Sequence, residues 1–558
     1  MYEINNREEK ITVKKWIAML LALLLALGAL ALAEELPVED IVPEDIVFEA
    51  DQAAEEMVGE ANGLAPADIE EVAAEEAAAA NAEEGAEEGA EEGAEEAAEE
   101  AAANAVAIDS TNFPAKDFRD YVKANFDADG DGKLSEKEAA DVEEIHLRTY
   151  EDEENGVNEK NCSSLKGVEY FVKLRQLECL GCNISTLDVS KNKYLQILQC
   201  HGNKLKKLDL SKNADCTIID CANNQLKELK VSHMSGLEEL HCSGNQLSKL
   251  DVTKNNKLTV LNCSENKLTA LNVTKNANLK ELSCSGNQLS KLDVTKNTKL
   301  IRLWCNANKL TKLDVSKNTK LKVLQCSNNQ LSKLDVTKNT KLDELWCLGN
   351  KLDKLDVTKL TKLTCLDCRS NKLTKLDVSK NKALEYLYCS ENKLTALNVT
   401  KNTKLKQLWC WNNKLTKLNV SKNKALWEVA CDNNKLTSLD VSMLSKLEVL
   451  GFSGNKLSRI NVSKNPKLWM LRCTDNKLTN LDVSKNKKLE RLYVNGNKIK
   501  KIDIKNCSKL QDALKLKKKT SKNVVSWYTM EEWGREDHVS INTSTSLVAG
   551  SKTLYKGK

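Results

Sequence analysis

The sequence predicts an α/β solenoid, and the main observation behind that prediction is a strict 21-residue period over residues 174–509. Cysteine recurs once per period, and asparagine follows it three residues later. Each period also holds a short alternation of apolar and polar residues, such as Leu282-Ser-Cys284, which is typical of a strand with one buried face. These 336 residues make sixteen turns of 21 residues, and stacked turns would share one continuous core.

Two ladders of identical residues set the register of the repeat. The cysteine ladder comprises Cys179, Cys200, Cys221, Cys242, Cys263, Cys284, Cys305, Cys326, Cys347, Cys368, Cys389, Cys410, Cys431 and Cys473, with Phe452 and Val494 in the same slot. The asparagine ladder runs to Asn497, and Cys182 takes its first rung. We expect mostly reduced thiols that fill the core as small apolar groups, and amides that satisfy buried backbone groups.

The full period reads LxxLxCxxNxLxxLDVTKNxx, the leucine-rich-repeat signature. It predicts a horseshoe or arc with a parallel sheet on the concave side. Because Leu292-Asp-Val294 also alternates, the convex side is expected to be irregular or to carry short strands. Residues 142–173 are interpreted as an N-terminal cap, an incomplete repeat with an acidic insertion, and residues 510–558 as a C-terminal cap or tail.

The N-terminal residues 1–33 have the pattern of a secretory signal peptide. Lys10, Lys14 and Lys15 precede a long apolar run that ends in a small-residue cleavage motif, Ala-Leu-Ala, at residues 31–33. An uncleaved membrane anchor is the alternative. No later apolar run is long enough to span a bilayer. We therefore predict a secreted protein that can be associated with the cell surface.

Charge is distributed very unevenly along the chain. Residues 34–110 contain 27 Asp and Glu and no Lys or Arg, which predicts a disordered acidic Ala/Glu-rich spacer. The whole chain carries a formal charge of +2, residues 1–33 carry +1 and residues 34–110 carry −27, so residues 111–558 carry +28. Much of this charge is lysine on the flanks of the turns, such as Lys309 and Lys312. Such lysines usually keep a repeat protein soluble, and the alternative is binding of an anionic polymer, either a wall polysaccharide or nucleic acid.

Residues 111–141 contain a twelve-residue loop that matches the EF-hand calcium loop at every liganding position. The expected ligands are the side chains of Asp127, Asp129, Asp131, Ser135 and Glu138 and the backbone carbonyl of Lys133. Gly132 provides the sharp bend, and Ser135 and Glu138 also form a capping box for the exiting helix. We predict that Ca²⁺ stabilises a small helical cap at the N-terminal end of the solenoid; the alternative is an acidic turn without useful affinity.

Residues 142–510 resemble the cysteine-ladder repeats of bacterial internalins of the internalin J type. The preceding Phe113-Pro-Ala-Lys-Asp-Phe-Arg-Asp-Tyr-Val segment, with its single calcium loop, is similar to the N-terminal region of many secreted bacterial leucine-rich-repeat proteins. The resemblance implies a surface adhesin. The sequence departs from wall-anchored members because it has no Leu-Pro-x-Thr-Gly motif in its C-terminal segment.

Aromatic residues in the strand segments form the predicted ligand-binding face. The third, fifth and seventh positions of each turn should point into solvent, where bulky side chains are not needed for folding. The candidate residues are Trp304, Trp346, Tyr386, Tyr388, Trp409 and Trp411, with Trp427 at the second position of its turn, at the edge of this face. Together with Asp367, Arg369 and Asp432 they predict recognition of an extracellular protein or glycan by a monomeric chain. The alternative is that these aromatic rings only pack along the sheet.

Catalysis is not predicted. The nearest acid–base group is His201, Asp220 and His241 on three adjacent strands, where Asp220 and His241 could form a surface ion pair. No nucleophile accompanies them. The two CxxC strings, which end at Cys182 and Cys368, place cysteines in structural slots and do not predict a redox or zinc site.

Overall fold

A computed structural model describes residues 105–148, 162–520, 524–531 and 534–557, all within one compact unit, Glu88–Lys558. The predicted signal peptide, nearly all of the predicted spacer and most of the acidic insertion lie outside the described residues. Within the described ranges, no helix combines the length and apolarity that crossing a membrane requires.

The N-terminal cap consists of short helices and strands. They are β1 (Val106–Ala107), α1 (Lys116–Phe126), β2 (Lys133–Leu134), α2 (Glu136–Asp141), β3 (Glu144–Arg148) and a 3-10 helix (Val168–Tyr170). β1 lies within the range interpreted as spacer, and it pairs antiparallel with β2 in the predicted calcium loop. The aromatic side chains of Phe113 and Phe118 are buried, and the rings of Phe126 and Phe171 lie 5.3 Å apart, so the cap covers the end of the solenoid core.

Sixteen parallel strands, spaced 21 residues apart, form the repeat sheet. They are β4 (Gln176–Leu180), β5 (Ile197–Gln199), β6 (Ile218–Asp220), β7 (Glu239–His241), β8 (Val260–Asn262), β9 (Glu281–Ser283), β10 (Arg302–Trp304), β11 (Val323–Gln325), β12 (Glu344–Trp346), β13 (Cys365–Asp367), β14 (Tyr386–Tyr388), β15 (Gln407–Trp409), β16 (Glu428–Ala430), β17 (Val449–Gly451), β18 (Met470–Arg472) and β19 (Arg491–Tyr493). Leu303 pairs with Leu282 and Leu324, and the other strands repeat this register. This confirms the predicted parallel sheet.

The C-terminal segment adds strands to both sides of the last turn. It contains β20 (Lys501–Asp503), α3 (Ser508–Ala513), β21 (Lys517–Thr520), β22 (Val524–Glu531), β23 (Gly534–Asn542), β24 (Ser546–Ala549) and β25 (Lys552–Tyr555). β23 pairs with β19 and with β22, so this antiparallel hairpin extends the repeat sheet. β20 pairs with β24 on the other side. Val525, Val539 and Ile541 are buried and cover the last turn of the core.

The convex side of the described repeats is irregular, with one isolated bridge between Asn398 and Asn419. α-Helices lie only before and after the repeats in the described residues, so the repeat region is a β-solenoid, which agrees with the predicted irregular convex side. The physical reason is the short period. Between Leu292 and Leu300 the chain makes a turn in which Asp293 accepts a hydrogen bond from the Thr295 backbone, and too few residues remain for a helix.

The asparagine ladder lies inside the core, as predicted. Asn287 donates to the carbonyl oxygens of Cys263 (3.0 Å) and Cys284 (3.2 Å), and its Oδ1 accepts from the backbone N–H of Leu268 (2.9 Å). One side chain therefore connects successive turns at a point where the strand ladder has ended. All nineteen cysteines are buried and none forms a disulfide; burial raises the pKa of the Cys263 thiol to about 12.

A second buried asparagine ladder, to which sequence analysis assigned no role, follows the convex side. Asn297 donates to the carbonyl oxygens of Val273 (2.9 Å) and Asn276 (2.8 Å), while its Oδ1 has no hydrogen-bond partner. The rungs with this unpaired oxygen are Asn192, Asn213, Asn255, Asn276, Asn297, Asn318, Asn339, Asn381, Asn402, Asn423, Asn465 and Asn486. Leu360 and Leu444 occupy the same slot in other turns and are also buried.

Candidate binding face of the repeat sheet

The outward face of the sheet differs in charge from the rest of the solenoid. The third, fifth and seventh positions of sixteen turns give 48 residues, and none of them is lysine. The eight carboxylates are Glu178, Asp220, Glu239, Glu281, Glu344, Asp367, Glu428 and Asp432, and the four arginines are Arg302, Arg369, Arg472 and Arg491. This face is therefore mildly acidic within a strongly basic region.

Arg369 and Asp367 form the centre of an aromatic–ionic cluster on β13–β15. The guanidinium Nη2 of Arg369 lies 2.7 Å from Oδ2 of Asp367, and its Nε lies 3.0 and 3.1 Å from the two carboxylate oxygens. The same guanidinium carbon lies 5.5 Å from the ring centre of Tyr388 and 5.3 Å from that of Trp409. An arginine that is desolvated between a carboxylate and two rings is held in one orientation.

Polar contacts extend this cluster to β16. The Tyr388 hydroxyl donates to Oε1 of Gln407 (2.5 Å), and Nε2 of Gln407 donates to Oε2 of Glu428 (2.8 Å). Burial raises the pKa of the Glu428 carboxyl, and the hydrogen bond from Gln407 opposes that shift. Burial also raises the pKa of Tyr388. Sequence analysis missed Gln407 and Glu428, although their outward third positions beside aromatic residues could have indicated them.

The expectation that all the strand-face aromatics point into solvent is wrong for two of them. Tyr388 is 8% exposed and Trp409 is 3% exposed, because their rings pack against each other at a tilt with centres 4.6 Å apart and the Arg369 guanidinium lies over both. The remaining predicted residues are half-buried, namely Trp304, Trp346, Tyr386, Trp411 and Trp427. The cluster thus has a buried centre of packed side chains, with partly exposed aromatic residues around it.

These half-buried aromatics are not all in one place. Trp346 joins the cluster, since its ring lies 6.4 Å from Tyr388 and its Nε1 donates to Glu344 (3.0 Å). Lys406, from the second position of its turn, lies with its Nζ 5.7 Å from the ring centre of Tyr386. Trp304 is two strands from Trp346, and Gln325 occupies the strand position between them.

The outward-face histidines His201 and His241 each lie beside a carboxylate. His201 Nδ1 lies 2.9 Å from Oδ2 of Asp220, whereas His241 lies 3.7 Å from Glu239. The predicted pairing of Asp220 with His241 is therefore replaced by pairing with His201. The hydrogen bond with Asp220 raises the pKa of His201, and burial opposes that shift.

The predicted calcium loop brings three carboxylates together. Oxygen atoms of Asp127, Asp129 and Asp131 lie within 4.8 Å of one another, and Oδ1 of Asp127 is buried without a hydrogen-bond partner. Gly130 and Gly132 have φ angles of +74° and +79°, which turn the backbone around this point. Three converging carboxylates with an unpaired buried oxygen fit a hard divalent cation.

Glu138, the predicted twelfth ligand, reaches back into the same loop. Its Oε1 accepts from the backbone N–H of Ala128 (2.8 Å), and its Oε2 accepts from the backbone N–H of Ser135 (2.9 Å). The Ser135 hydroxyl in turn accepts from the Glu138 backbone (3.2 Å), which completes the capping box of α2. Burial tends to raise the pKa of Glu138, but the hydrogen bonds from Ser135 and Ala128 outweigh it and lower that pKa.

The stacked 21-residue turns, the parallel sheet and the buried ladder define a leucine-rich-repeat solenoid with a cysteine ladder. The functional domain of InlJ from Listeria monocytogenes, which includes a cysteine ladder, is similar: the two are 27% identical with a TM-score of 0.59, and the match covers 80% of this chain and 99% of that domain. This confirms the resemblance seen in the repeats.

Two other bacterial proteins share the fold. A leucine-rich-repeat protein of Leptospira interrogans is 23% identical with a TM-score of 0.51, and the match covers 68% of this chain and 95% of that one. The internalin InlF of Listeria monocytogenes is 18% identical with a TM-score of 0.50, and the match covers 62% and 97% of the two chains. Searches against family models and curated proteins found no match.

Proposed function

We propose that this chain is an extracellular recognition protein that binds a protein or glycan ligand through the outward face of the repeat sheet, without catalysis. The observation that carries the proposal is the aromatic–ionic cluster around Arg369. Its rings and charges are packed before any ligand arrives, so binding would order few side chains. The half-buried Trp346, Tyr386 and Trp411 offer large apolar contact area at its edge.

The test is binding of the full chain to a panel of immobilised extracellular glycoproteins, before and after their deglycosylation. Trp411→Ala removes a half-buried aromatic beside the cluster. Trp469→Ala is the matched control, because Trp469 is also half-buried but lies three turns further on, where the guanidinium carbon of Arg491 lies 5.4 Å from its ring centre. We expect the Trp411 variant to lose at least about tenfold in affinity with an unchanged melting temperature.

Equal binding by both variants would remove the cluster from the recognition site. Binding that disappears on deglycosylation would identify a glycan ligand, and binding that persists would identify a protein surface. Trp409→Ala is unsuitable as the main variant, because that side chain is buried and its removal changes the packing of Tyr388 and Arg369.

We further propose that Ca²⁺ binds the loop from Asp127 to Glu138 and stabilises the N-terminal cap. The unpaired Oδ1 of Asp127 beside two further carboxylates supports this proposal. The pairing of β1 with β2 supports a structural role, because the loop strand has its partner within this cap and needs no second EF-hand. A secreted location fits a millimolar calcium supply.

A further inference from the structure

One edge of the solenoid carries a lysine at the tenth position of eight consecutive turns, which we name the lysine row. Its members are Lys351, Lys372, Lys393, Lys414, Lys435, Lys456, Lys477 and Lys498, and all are exposed. The backbone N–H of each donates to a leucine carbonyl of the preceding turn, as Lys393 does to Leu373 at 2.8 Å. Hydrogen-bonded turns are spaced by about 4.8 Å, so the lysine stems leave the backbone at that regular interval.

The lysine row carries eight formal positive charges. None of its eight members forms an ion pair with any residue that the structure describes. The interval between neighbouring rungs is shorter than the Debye length of about 8 Å, so adjacent ammonium groups repel one another with little screening. In earlier turns the same slot holds uncharged Gln225, Gln246, Gln288 and Gln330, so the repeat does not need a lysine there.

The surface beside the lysine row adds hydrogen-bonding groups and further cations. Exposed hydroxyls occupy the twelfth position of successive turns, namely Thr374, Thr395, Thr416, Thr437, Ser458 and Thr479. Lys354, Lys375 and Lys417 add exposed charge at the thirteenth position. The outward face of the sheet has no lysine, so the edge with the lysine row and the face with the aromatic residues are two separate surfaces of one solenoid.

We propose that the lysine row and its adjacent hydroxyls bind a linear acidic polysaccharide that lies along the solenoid axis. A linear polymer with a carboxylate on each sugar can place successive charges against successive lysines of the row, and flexible lysine stems accommodate carboxylates on alternate sides. The hydroxyl row can donate to and accept from sugar hydroxyls. Duplex DNA fits less well, because its charges, one per about 1.7 Å of axis, wind around the helix and away from a single row of lysines on one edge.

The proposal is tested by binding of the full chain to polymannuronate over a series of NaCl concentrations. The row variant replaces Lys351, Lys372, Lys393 and Lys414 with glutamine, the residue that the chain itself uses in this slot. The control variant replaces the exposed lysines at the eighteenth position of the same four turns, Lys359→Gln, Lys380→Gln, Lys401→Gln and Lys422→Gln. Both variants lose four positive charges from the same turns.

We expect the row variant to lose about tenfold or more in affinity at low salt and to show a shallower salt dependence, while the control variant changes less than about threefold. Equal losses in the two variants, or no loss in the row variant, would overturn the proposal. Equal binding to an uncharged ester of polymannuronate would do so as well. If the chain binds duplex DNA more tightly than polymannuronate, and the row variant no longer binds that DNA, the ligand of the lysine row is nucleic acid and the polysaccharide proposal fails. Unchanged binding of the row variant to the glycoprotein panel would show that the lysine row and the sheet face bind their ligands independently.

Discussion

Asn287 and Asn297 lie ten residues apart in one turn and are both buried, but only Asn287 accepts a hydrogen bond with its side-chain oxygen. Asn287 Oδ1 accepts from the backbone N–H of Leu268, whereas Asn297 Oδ1 has no hydrogen-bond partner. The carbonyls that accept from Asn297 each have a second donor, since Val273 accepts from the Asn276 backbone and Asn276 accepts from that of Leu279. The two ladders should therefore differ in their tolerance of substitution.

We predict that Asn287→Leu lowers the free energy of unfolding by at least about 2 kcal/mol, because the Leu268 N–H is left buried without an acceptor. Asn297→Leu should cost about 1 kcal/mol or less, because both carbonyls keep a partner and Leu360 and Leu444 already occupy this slot. Urea unfolding of the two variants measures the difference. Equal costs would show that the unpaired oxygen of Asn297 is irrelevant to stability.

The ion pair of Arg369 with Asp367 predicts strong coupling between the two side chains. Asp367 is 0% exposed, so Arg369→Gln leaves a buried carboxylate without its cation and should cost about 3 kcal/mol. Asp367→Asn should likewise destabilise the chain. The double variant should cost clearly less than the sum, because neither partner is then left charged. A thermal or urea double-mutant cycle measures this coupling, and additive costs would contradict it.

Calcium should raise the melting temperature of the N-terminal cap, because an ion that binds only the folded loop stabilises it by mass action. The measurement is thermal unfolding in EDTA and in millimolar calcium. Asp127→Asn should abolish the response. Asp120→Asn is the matched control, since Asp120 is an exposed carboxylate on α1 that pairs with Lys116 outside the loop. A wild-type chain that melts identically in both solutions would remove the calcium proposal.

His201 should make a small pH-dependent contribution to stability. Its pKa in the folded chain is raised by Asp220, so the folded state binds more protons than the unfolded state between pH about 6.5 and that raised pKa. The contribution is full below pH about 6.5 and is lost as pH rises through the raised pKa. Because His201 is about one-third exposed, it should not exceed about 1 kcal/mol.

The measurement for His201 is the difference in melting temperature between wild type and His201→Gln at several pH values. The difference should shrink from mildly acidic to mildly alkaline pH, and Asp220→Asn should remove it. His146 also lies against Glu178, and its pKa is raised, so only the difference between variants isolates His201. A difference that grows with pH would mean that the sign of the linkage is wrong.

Periodicity made much of this structure predictable. Every 21-residue turn repeats the same buried positions, so one interpretation of Cys284 and Asn287 extended to the other turns. The convergence of the carboxylates in the predicted calcium loop could also be predicted, because these residues are close in sequence and Ser135 and Glu138 belong to one helix start. Such features depend on residues within one turn or one loop, whose spacing the sequence states directly.

Only the tertiary structure decided the contacts between variable side chains of neighbouring turns. The sequence placed Tyr388 and Trp409 on the outward face but did not show that Arg369 would cover them, nor that Asp220 would pair with His201 and not with His241. It also did not indicate that β1 would pair with β2 in the predicted calcium loop. The repeat fixes the backbone position from which each side chain projects. The neighbours of that side chain depend on the size, charge and rotamer of residues about 20 or more positions away, and no local sequence pattern encodes these contacts.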